Sequence, residues 1–325
     1  VDERRKGVEI GALRGGGGTT FRGPPSENLF GNVTSLQIIG SSFRAIDISG
    51  NPNLRPERTT TYSGGILLKF GGFNASVDYF RYELAGPIEA EPVQGIVNAL
   101  FGATGNANCG NPAFAQLQAR FTFTGAGCGV GNVQRLSTNL VNSADVATSG
   151  LDFQAQYKFG LGGFDIAFGG TGTYVIDYYT KDVTVAGIVV QPAFDAVGKP
   201  NYQTTAYPLP PLKGNIYLQA DRGIHSARFQ FNYIDGYTDQ RTAAIFGPNT
   251  GALAGASVTA GQNIEAFYTL DFTYRLALRS GTTISLTANN ILDRAPSFAR
   301  LDFNYDPFTS SPLGFNAKFG ISQKF

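Results

Sequence analysis

The feature that most limits how this chain folds is a two-residue alternation, plainest at its C-terminal end. In residues 315–325, FNAKFGISQKF, the odd positions Phe315, Ala317, Phe319, Ile321 and Phe325 are apolar and only Gln323 is not, while Asn316, Lys318, Gly320, Ser322 and Lys324 are small or polar. Successive side chains of a strand point to opposite faces, so this segment carries one apolar and one polar ribbon. It is a half-buried strand. The alternation leaves the apolar medium open, because a protein core and the hydrocarbon of a bilayer satisfy it equally.

The same period recurs upstream. Tyr62, Gly64, Ile66, Leu68 and Phe70 share one face of a strand over residues 59–70, Gly71-Gly72 turns it, and Phe73, Ala75, Val77 and Tyr79 line the return strand against Asn74, Ser76 and Asp78. Leu151, Phe153, Ala155, Tyr157 and Phe159 oppose Asp152, Gln154, Gln156 and Lys158, and a glycine-rich turn at 160–163 leads to Phe164, Ile166, Phe168, Tyr174 and Ile176. Ile216, Leu218 and Ala220 descend to a turn at 222–225, and Phe229, Phe231 and Tyr233 ascend. Tyr268, Leu270, Phe272, Tyr274, Leu276 and Leu278 oppose Thr269, Asp271, Thr273 and Arg275, turn at Ser280-Gly281, and are followed by Ile284, Leu286 and Ala288 against Thr283, Ser285 and Thr287. With a short strand over 9–13 and the terminal one, about ten strands are expected.

Long interruptions separate these hairpins: an irregular stretch over 19–56 broken by Pro24, Pro25 and Pro52, then 85–147, a proline-rich loop ending at Pro211, 239–263 and 296–312. Such lengths are anomalous in a compact soluble domain. They are ordinary in an outer-membrane barrel, whose periplasmic turns are short and whose outer loops are long. No apolar run approaches the roughly 18 residues that a spanning helix needs, so any membrane crossing is by strands. Charged residues make up only 15% of the chain, against about 25% in an average globular protein, which suits strands with one face toward lipid. The fold expected is therefore all-β: a partial, antiparallel, up-and-down transmembrane β-barrel with short periplasmic turns and long extracellular loops. A soluble β-sandwich is the alternative. Tyr62, Tyr174, Tyr233 and Tyr268 near the expected strand ends suit an aromatic girdle.

Chemistry is sparse. Net charge is +1, which supplies no electrostatic attraction for nucleic acid. The glycine run Gly15–Gly18 ends in Thr-Thr-Phe-Arg and lacks the Gly-Lys-Ser/Thr of a phosphate loop. The one histidine, His225, falls in an expected periplasmic turn, away from the outer rim where an acid–base pair would act, so the chain does not read as an enzyme. Asp302 and Asp306 read as loop-solvating carboxylates. Cys109 and Cys128 share a Gly/Asn-rich loop; a disulfide staple contributing on the order of 3 kcal/mol is expected, with free thiols as the alternative. No histidine or second cysteine pair lies near to complete a metal site, and no cofactor is expected. Aromatic and cationic residues at the loop bases, Tyr178, Tyr179, Tyr237, Arg241 and Tyr305, are the candidates for ligand contact by stacking and anion pairing.

Two segments carry a family resemblance. Residues 51–57, NPNLRPE, followed by Arg58-Thr59-Thr60-Thr61-Tyr62, resemble the Asn-Pro-x-Leu-x-Pro-Glu signature of TonB-dependent outer-membrane receptors, and the preceding TFRGPP resembles their Phe-Arg-x-Pro stretch. Near the other end LTANNILD, residues 286–293, resembles their Asn-Asn-Leu-Phe-Asp stretch, with Ile291-Leu292 in place of Leu-Phe, and a terminal Phe325 resembles the signal read by barrel-assembly machinery. Within the signature, Pro52 and Pro56 donate no backbone hydrogen bond and so keep the segment out of a central strand, Asn51 suits a tight turn, and Leu54 and Glu57 complete a motif read as architectural. Such receptors are plugged barrels of roughly 22 strands. The resemblance therefore implies that residues 1–325 are the C-terminal portion of a receptor barrel without its plug, and the absence of methionine agrees with a mature or internal piece. It also implies outer-membrane lipid around the barrel, a TonB complex reached only through the missing N-terminal part, and a scarce small-molecule nutrient: an iron-siderophore, a cobalamin or an oligosaccharide. A passive porin or small independent barrel is the competing reading. Such a portion by itself is expected to form an open curved sheet or a narrow artificial closure.

Overall fold

The structure is a computed structural model and describes residues 10–125, 127–202, 204–241 and 259–324. Ten strands form one antiparallel sheet in chain order: β1 (Ile10–Arg22), β2 (Glu57–Phe70), β3 (Phe73–Ala85), β4 (Val146–Leu161), β5 (Phe164–Thr180), β6 (Leu212–Arg222), β7 (His225–Ile234), β8 (Phe267–Ala277), β9 (Thr282–Asn289) and β10 (Asn316–Gln323). Each pairs with its neighbour in sequence. Among the described residues β1 and β10 have no partner on their outer edges, so the sheet is an open sector of a barrel. Short turns at Gly71-Gly72, residues 162–163, 223–224 and 278–281 lie at one end of the strands, and the long loops at the other. Among the described residues no helix is long and apolar enough to cross a membrane.

Register follows the alternation. Directly paired residues share a face, and Phe153 lies opposite Val77, Phe168 opposite Tyr157, Phe229 opposite both Leu218 and Phe272, and Leu286 opposite Phe319. Little protein covers this face: Phe319 is 68% exposed, Leu286 42% and Phe153 41%. The opposite face is cross-linked by polar side chains. Asn232 donates to Asp271 at 2.7 Å and to Thr269 at 3.1 Å, Thr173 donates to Asp152 at 2.5 Å, and Asn215 donates to Thr171 at 3.0 Å. An apolar face without protein cover and a hydrogen-bonded polar face are what a lipid-facing wall and a lumen require.

Glycine serves this polar face at one place by being absent as a side chain. Arg14 on β1 pairs with Asp78 on β3 across β2, directly above Gly65, which lies in register between them. A Cβ on residue 65 would sit 1.9 Å from the Asp78 Oδ1 atom. Only glycine lets the two side chains meet. The run Gly15–Gly18 is likewise inside a strand: β1 does not stop near residue 13 but continues to Arg22, with Gly16, Gly17 and Gly18 opposite Ser63, Tyr62 and Thr61. Glycine is a poor strand former, yet its backbone donates and accepts ladder hydrogen bonds like any other, and the long partner β2 supplies them.

The loops are more ordered than the irregular stretches expected from sequence. Residues 23–56 contain a helix, Ser26–Phe30, and a hairpin, Asn32–Ile39 with Ser42–Ser49. Residues 86–145 contain strands Ile88–Ala90, Phe121–Phe123 and Val133–Asn142 and a helix, Val93–Phe101. Ser42–Ser49 joins Val133–Asn142 in parallel, so the two loops share one five-stranded sheet. The helix buries Val93, Ile96, Val97, Leu100 and Phe101, an i, i+3, i+4, i+7, i+8 stripe, against Ile39, Ile46, Val133 and Leu136, and Val183, Val185 and Val190 of the next loop complete the cluster. Cys109 and Cys128 are bonded to each other beside it, with Cα atoms 5.7 Å apart. The main hydrophobic core of this molecule therefore sits above the barrel sector.

Candidate functional site

The outer loops gather into two lobes, and the first is fastened by the Asn51–Glu57 segment. Pro52 and Pro56 leave the backbone free of ladder pairing, and side chains do the joining. Glu57, nearly buried, accepts from Arg22 Nε at 2.7 Å and Nη2 at 3.0 Å, and from the Ile88 backbone N–H at 2.6 Å. Asn51 donates to the Leu140 carbonyl at 3.1 Å and accepts from the Asn53 N–H at 3.0 Å. Asn142 accepts from the Arg55 N–H at 2.8 Å and donates to the carbonyls of Arg55 and Gly86, each at 2.9 Å, while Leu54 is buried. The segment thus ties β1, β2 and the loop over 86–145 together.

The second lobe is built from residues 196–202, 204–211, 235–241, 259–266 and 290–315, around a polar knot. Asp239 and Arg300 are both buried, and the Arg300 Nε and Nη2 atoms lie 3.1 Å from Asp239 Oδ2. Arg241 bonds the same carboxylate at 2.7 Å and stacks its guanidinium 4.2 Å from the centre of the Tyr202 ring. Burial alone would raise the pKa of Asp239, but the two arginines outweigh it and hold the carboxyl below its ordinary range. Tyr237 is buried with its hydroxyl donating to Asp306 and lying 2.7 Å from Thr309 Oγ1; burial first and the Asp306 carboxylate second push its pKa upward. Tyr202 donates to Asp302 at 3.0 Å, and burial together with that acid pushes its phenol up to about 12, so it is a neutral donor at any working pH.

Three openings, successive ones sharing lining residues, lie between this lobe and the polar face of the sheet. An outer crevice of about 270 Å³ lies between loops 181–211 and 290–315. Pro307 and Phe308 on its wall also line a second opening of about 300 Å³ against Asn232, Ile234, Phe267 and Thr269, which are on the polar face of β7 and β8. Asn232 and Ile234 in turn line a third, of about 760 Å³, with Arg14, Asp78, Asp152 and Lys213. The path runs from the outer loops down a polar wall.

The candidate contact residues divide across this geometry. A β-bulge between Val175 and Asp177 shifts the register of β5, so Tyr178 lies opposite Thr148 on the lumen face and Tyr179 opposite Ala147 on the outer face. Strict alternation would have placed them the other way round. Tyr237 and Arg241 are inside the polar knot, and Tyr305 is half-buried with its ring 6.2 Å from Phe303. Phe325 lies outside the described residues. Residues that sequence reading did not single out, Tyr202, Tyr207, Phe303 and Phe308, line the crevice instead; the clustering of aromatics and prolines over 200–211 and 303–308 was the available signal. His225 is at the short-turn end, its Nδ1 2.6 Å from the Tyr274 hydroxyl. Among the described residues no three His, Cys, Asp or Glu side chains cluster as metal ligands.

An open antiparallel sector with a lipid-type outer face, a polar inner face and folded outer loops defines an outer-membrane barrel. The family profile "TonB dependent receptor-like, beta-barrel" matches residues 8–291, and the chain belongs to that family, whose place is the bacterial outer membrane. Solved structures with the same fold include the siderophore receptor PirA of Acinetobacter baumannii (TM-score 0.55, 15% identity, 98% of this chain and 39% of that one) and the ferric enterobactin receptor PfeA of Pseudomonas aeruginosa (0.56, 14%, 97% and 39%). The copper transporter OprC is similar at 0.51 and 13%, over 97% and 37%. The chain thus spans less than two fifths of the length of these proteins. A search among curated proteins gives no match.

Proposed function

We propose that this chain supplies wall and outer loops to a receptor that takes a scarce small-molecule nutrient across the outer membrane, with energy delivered through TonB. The observation that carries the reading is the path from a folded outer vestibule along Asn232 and Ile234 to the polar wall at Arg14, Asp78 and Lys213. A barrel wall binds and releases; it makes no bonds. Lipid covers the apolar face, assembly machinery reads the terminal strand with Phe325, and iron-siderophore, cobalamin and oligosaccharide are the nutrient classes in view. PirA, PfeA and OprC, named for a siderophore, ferric enterobactin and copper, support uptake in general and select no ligand. The test is to compare medium depletion by cells with and without the parent receptor, in TonB-replete and TonB-depleted strains. Receptor-dependent depletion that vanishes with TonB is expected. Depletion that persists without TonB would identify a passive porin.

A further inference from the structure

The crevice in the second lobe is built more carefully than loop packing requires. Tyr207, Phe303 and Phe308 on its walls are 76, 66 and 65% exposed, an apolar surface that water-facing loops ordinarily hide by collapsing. Hydrogen bonds hold the loop on each side. On one wall Asn201, buried and in the left-handed region at φ 51°, donates its amide to the carbonyls of Ala196 at 2.9 Å, Lys199 at 3.2 Å and Tyr207 at 2.7 Å. On the other, buried Asp306 accepts from the Phe308 N–H at 2.8 Å and from Tyr237, and its carbonyl accepts from Ser310 at 2.7 Å. Behind Tyr202 stands Arg241, itself held by Asp239. Tyr207 and Phe308 meet as a tilted pair, their ring centres 5.9 Å apart and inclined at 59°, and so join the two walls at one side of the crevice.

Position and charge narrow what the rings hold. Phe308 and Pro307 also face the lumen-side residues Asn232 and Thr269, so the crevice opens on the transport path and not toward lipid. About 270 Å³ accommodates one substituted ring, less than the 300–1,000 Å³ of a site that encloses a whole drug-sized ligand. Among the described residues its lining includes no lysine or arginine, and Arg241, behind Tyr202, is committed to Asp239. Among the described residues its polar side chains are mostly engaged within the protein: Asn201 and Thr204 bond loop backbone, Tyr202 bonds Asp302 and Asp306 is buried, leaving chiefly the Tyr207 hydroxyl, too little to satisfy the hydroxyls of a sugar.

We infer that this crevice is a subsite for an uncharged aromatic ring carried by the transported nutrient. The inference rests on the uptake reading above and assigns that vestibule a ligand chemistry. Its test is binding to the purified protein in detergent, measured by saturation-transfer NMR with three probes: benzyl alcohol, benzoate and methyl β-D-glucoside. Benzyl alcohol should bind, benzoate about ten-fold more weakly because no cation offsets its charge, and the glucoside not measurably. Tyr207→Ala and Phe308→Ala should each weaken benzyl alcohol by about two- to ten-fold. Leu36→Ala, which removes an exposed apolar side chain on the other lobe, should change nothing. Tyr207→Leu and Phe308→Leu keep apolar volume and loop folding while removing the ring, and should weaken binding similarly. Benzoate or glucoside binding as tightly as benzyl alcohol, or ring variants without effect, would overturn the inference. Loss of TonB-dependent depletion with ring binding intact would strike the uptake reading alone.

Discussion

The barrel sector and the loop lobes use the same residue types in opposite ways. In the sheet Phe319, Leu286 and Phe153 leave their surface uncovered, whereas in the first lobe Ile46, Leu100 and Leu136 are fully buried. Charges differ in the same sense: Arg14 and Asp78 meet at the open lumen, while Asp239 and Arg300 meet with almost no solvent access. The sheet is held by a backbone ladder that needs no apolar core, because its apolar side chains partition into lipid. The lobes project into water and must fold as small soluble domains do, by burial, satisfied polar groups and a disulfide.

The largest expected departure comes from the knot. Asp239→Ala removes the buried carboxylate that Arg241 and Arg300 share, and removing one member of a buried pair costs about 3–5 kcal/mol. Limited proteolysis should cut the loops over 181–211 and 290–315 while strand amides keep their hydrogen-exchange protection; simultaneous loss of the strands would erase the distinction between regions. Next, Leu100→Ala in the first lobe should lower its stability by about 2–5 kcal/mol, as core truncations do, while Leu286→Ala on the outer face leaves no closed cavity and should change it far less. Denaturation in lipid vesicles followed by exchange at both sites measures the contrast.

Replacing Cys109 and Cys128 by serine should destabilise the first lobe by on the order of 3 kcal/mol and leave the sheet as it is. Mass spectrometry of the non-reduced chain should find those two peptides linked. A sidedness test sharpens the comparison without changing stability: lipid-soluble quenchers should reach probes at Phe319, Phe272, Leu286 and Phe153 but not at Lys318, Asp271, Ser285 and Gln154. Equal quenching of both sets would mean a wrong face for the lipid. The smallest effect is acidic. The Asp239 carboxyl is depressed in the folded lobe, so its stabilisation is complete above the ordinary carboxylate range and is lost as pH falls through its lowered value. Proteolysis across an acid series should find the second lobe opening as pH falls in the wild type, whereas Asp239→Asn should already be more open at neutral pH and show no such step.

Strand positions, turns and faces were legible because alternation is local: Phe73 and Asn74 declare their faces by adjacency alone. The exceptions have local causes too. Gly15–Gly18 looked like a strand end since glycine carries no side-chain signal, and the bulge between Val175 and Asp177 exchanged the faces of Tyr178 and Tyr179 by one inserted residue. The helix stripe at residues 93, 96, 97, 100 and 101 was readable by period but was passed over inside a long interruption.

By itself the sequence determined an antiparallel, lipid-facing barrel sector, its hairpin order and the family signature at Asn51–Glu57, because period-two alternation and turn residues act between neighbours in the chain. Only the tertiary structure decided that Glu57 clasps Arg22, that Asp239 unites Arg241 with Arg300, and that Tyr202, Tyr207, Phe303 and Phe308 surround one crevice. Arg22 and Glu57, Asp239 and Arg300, and Tyr202 and Asp302 are separated by tens to about a hundred residues, and no pattern along the chain records which distant groups must meet once each loop has to satisfy its own buried charges and backbone.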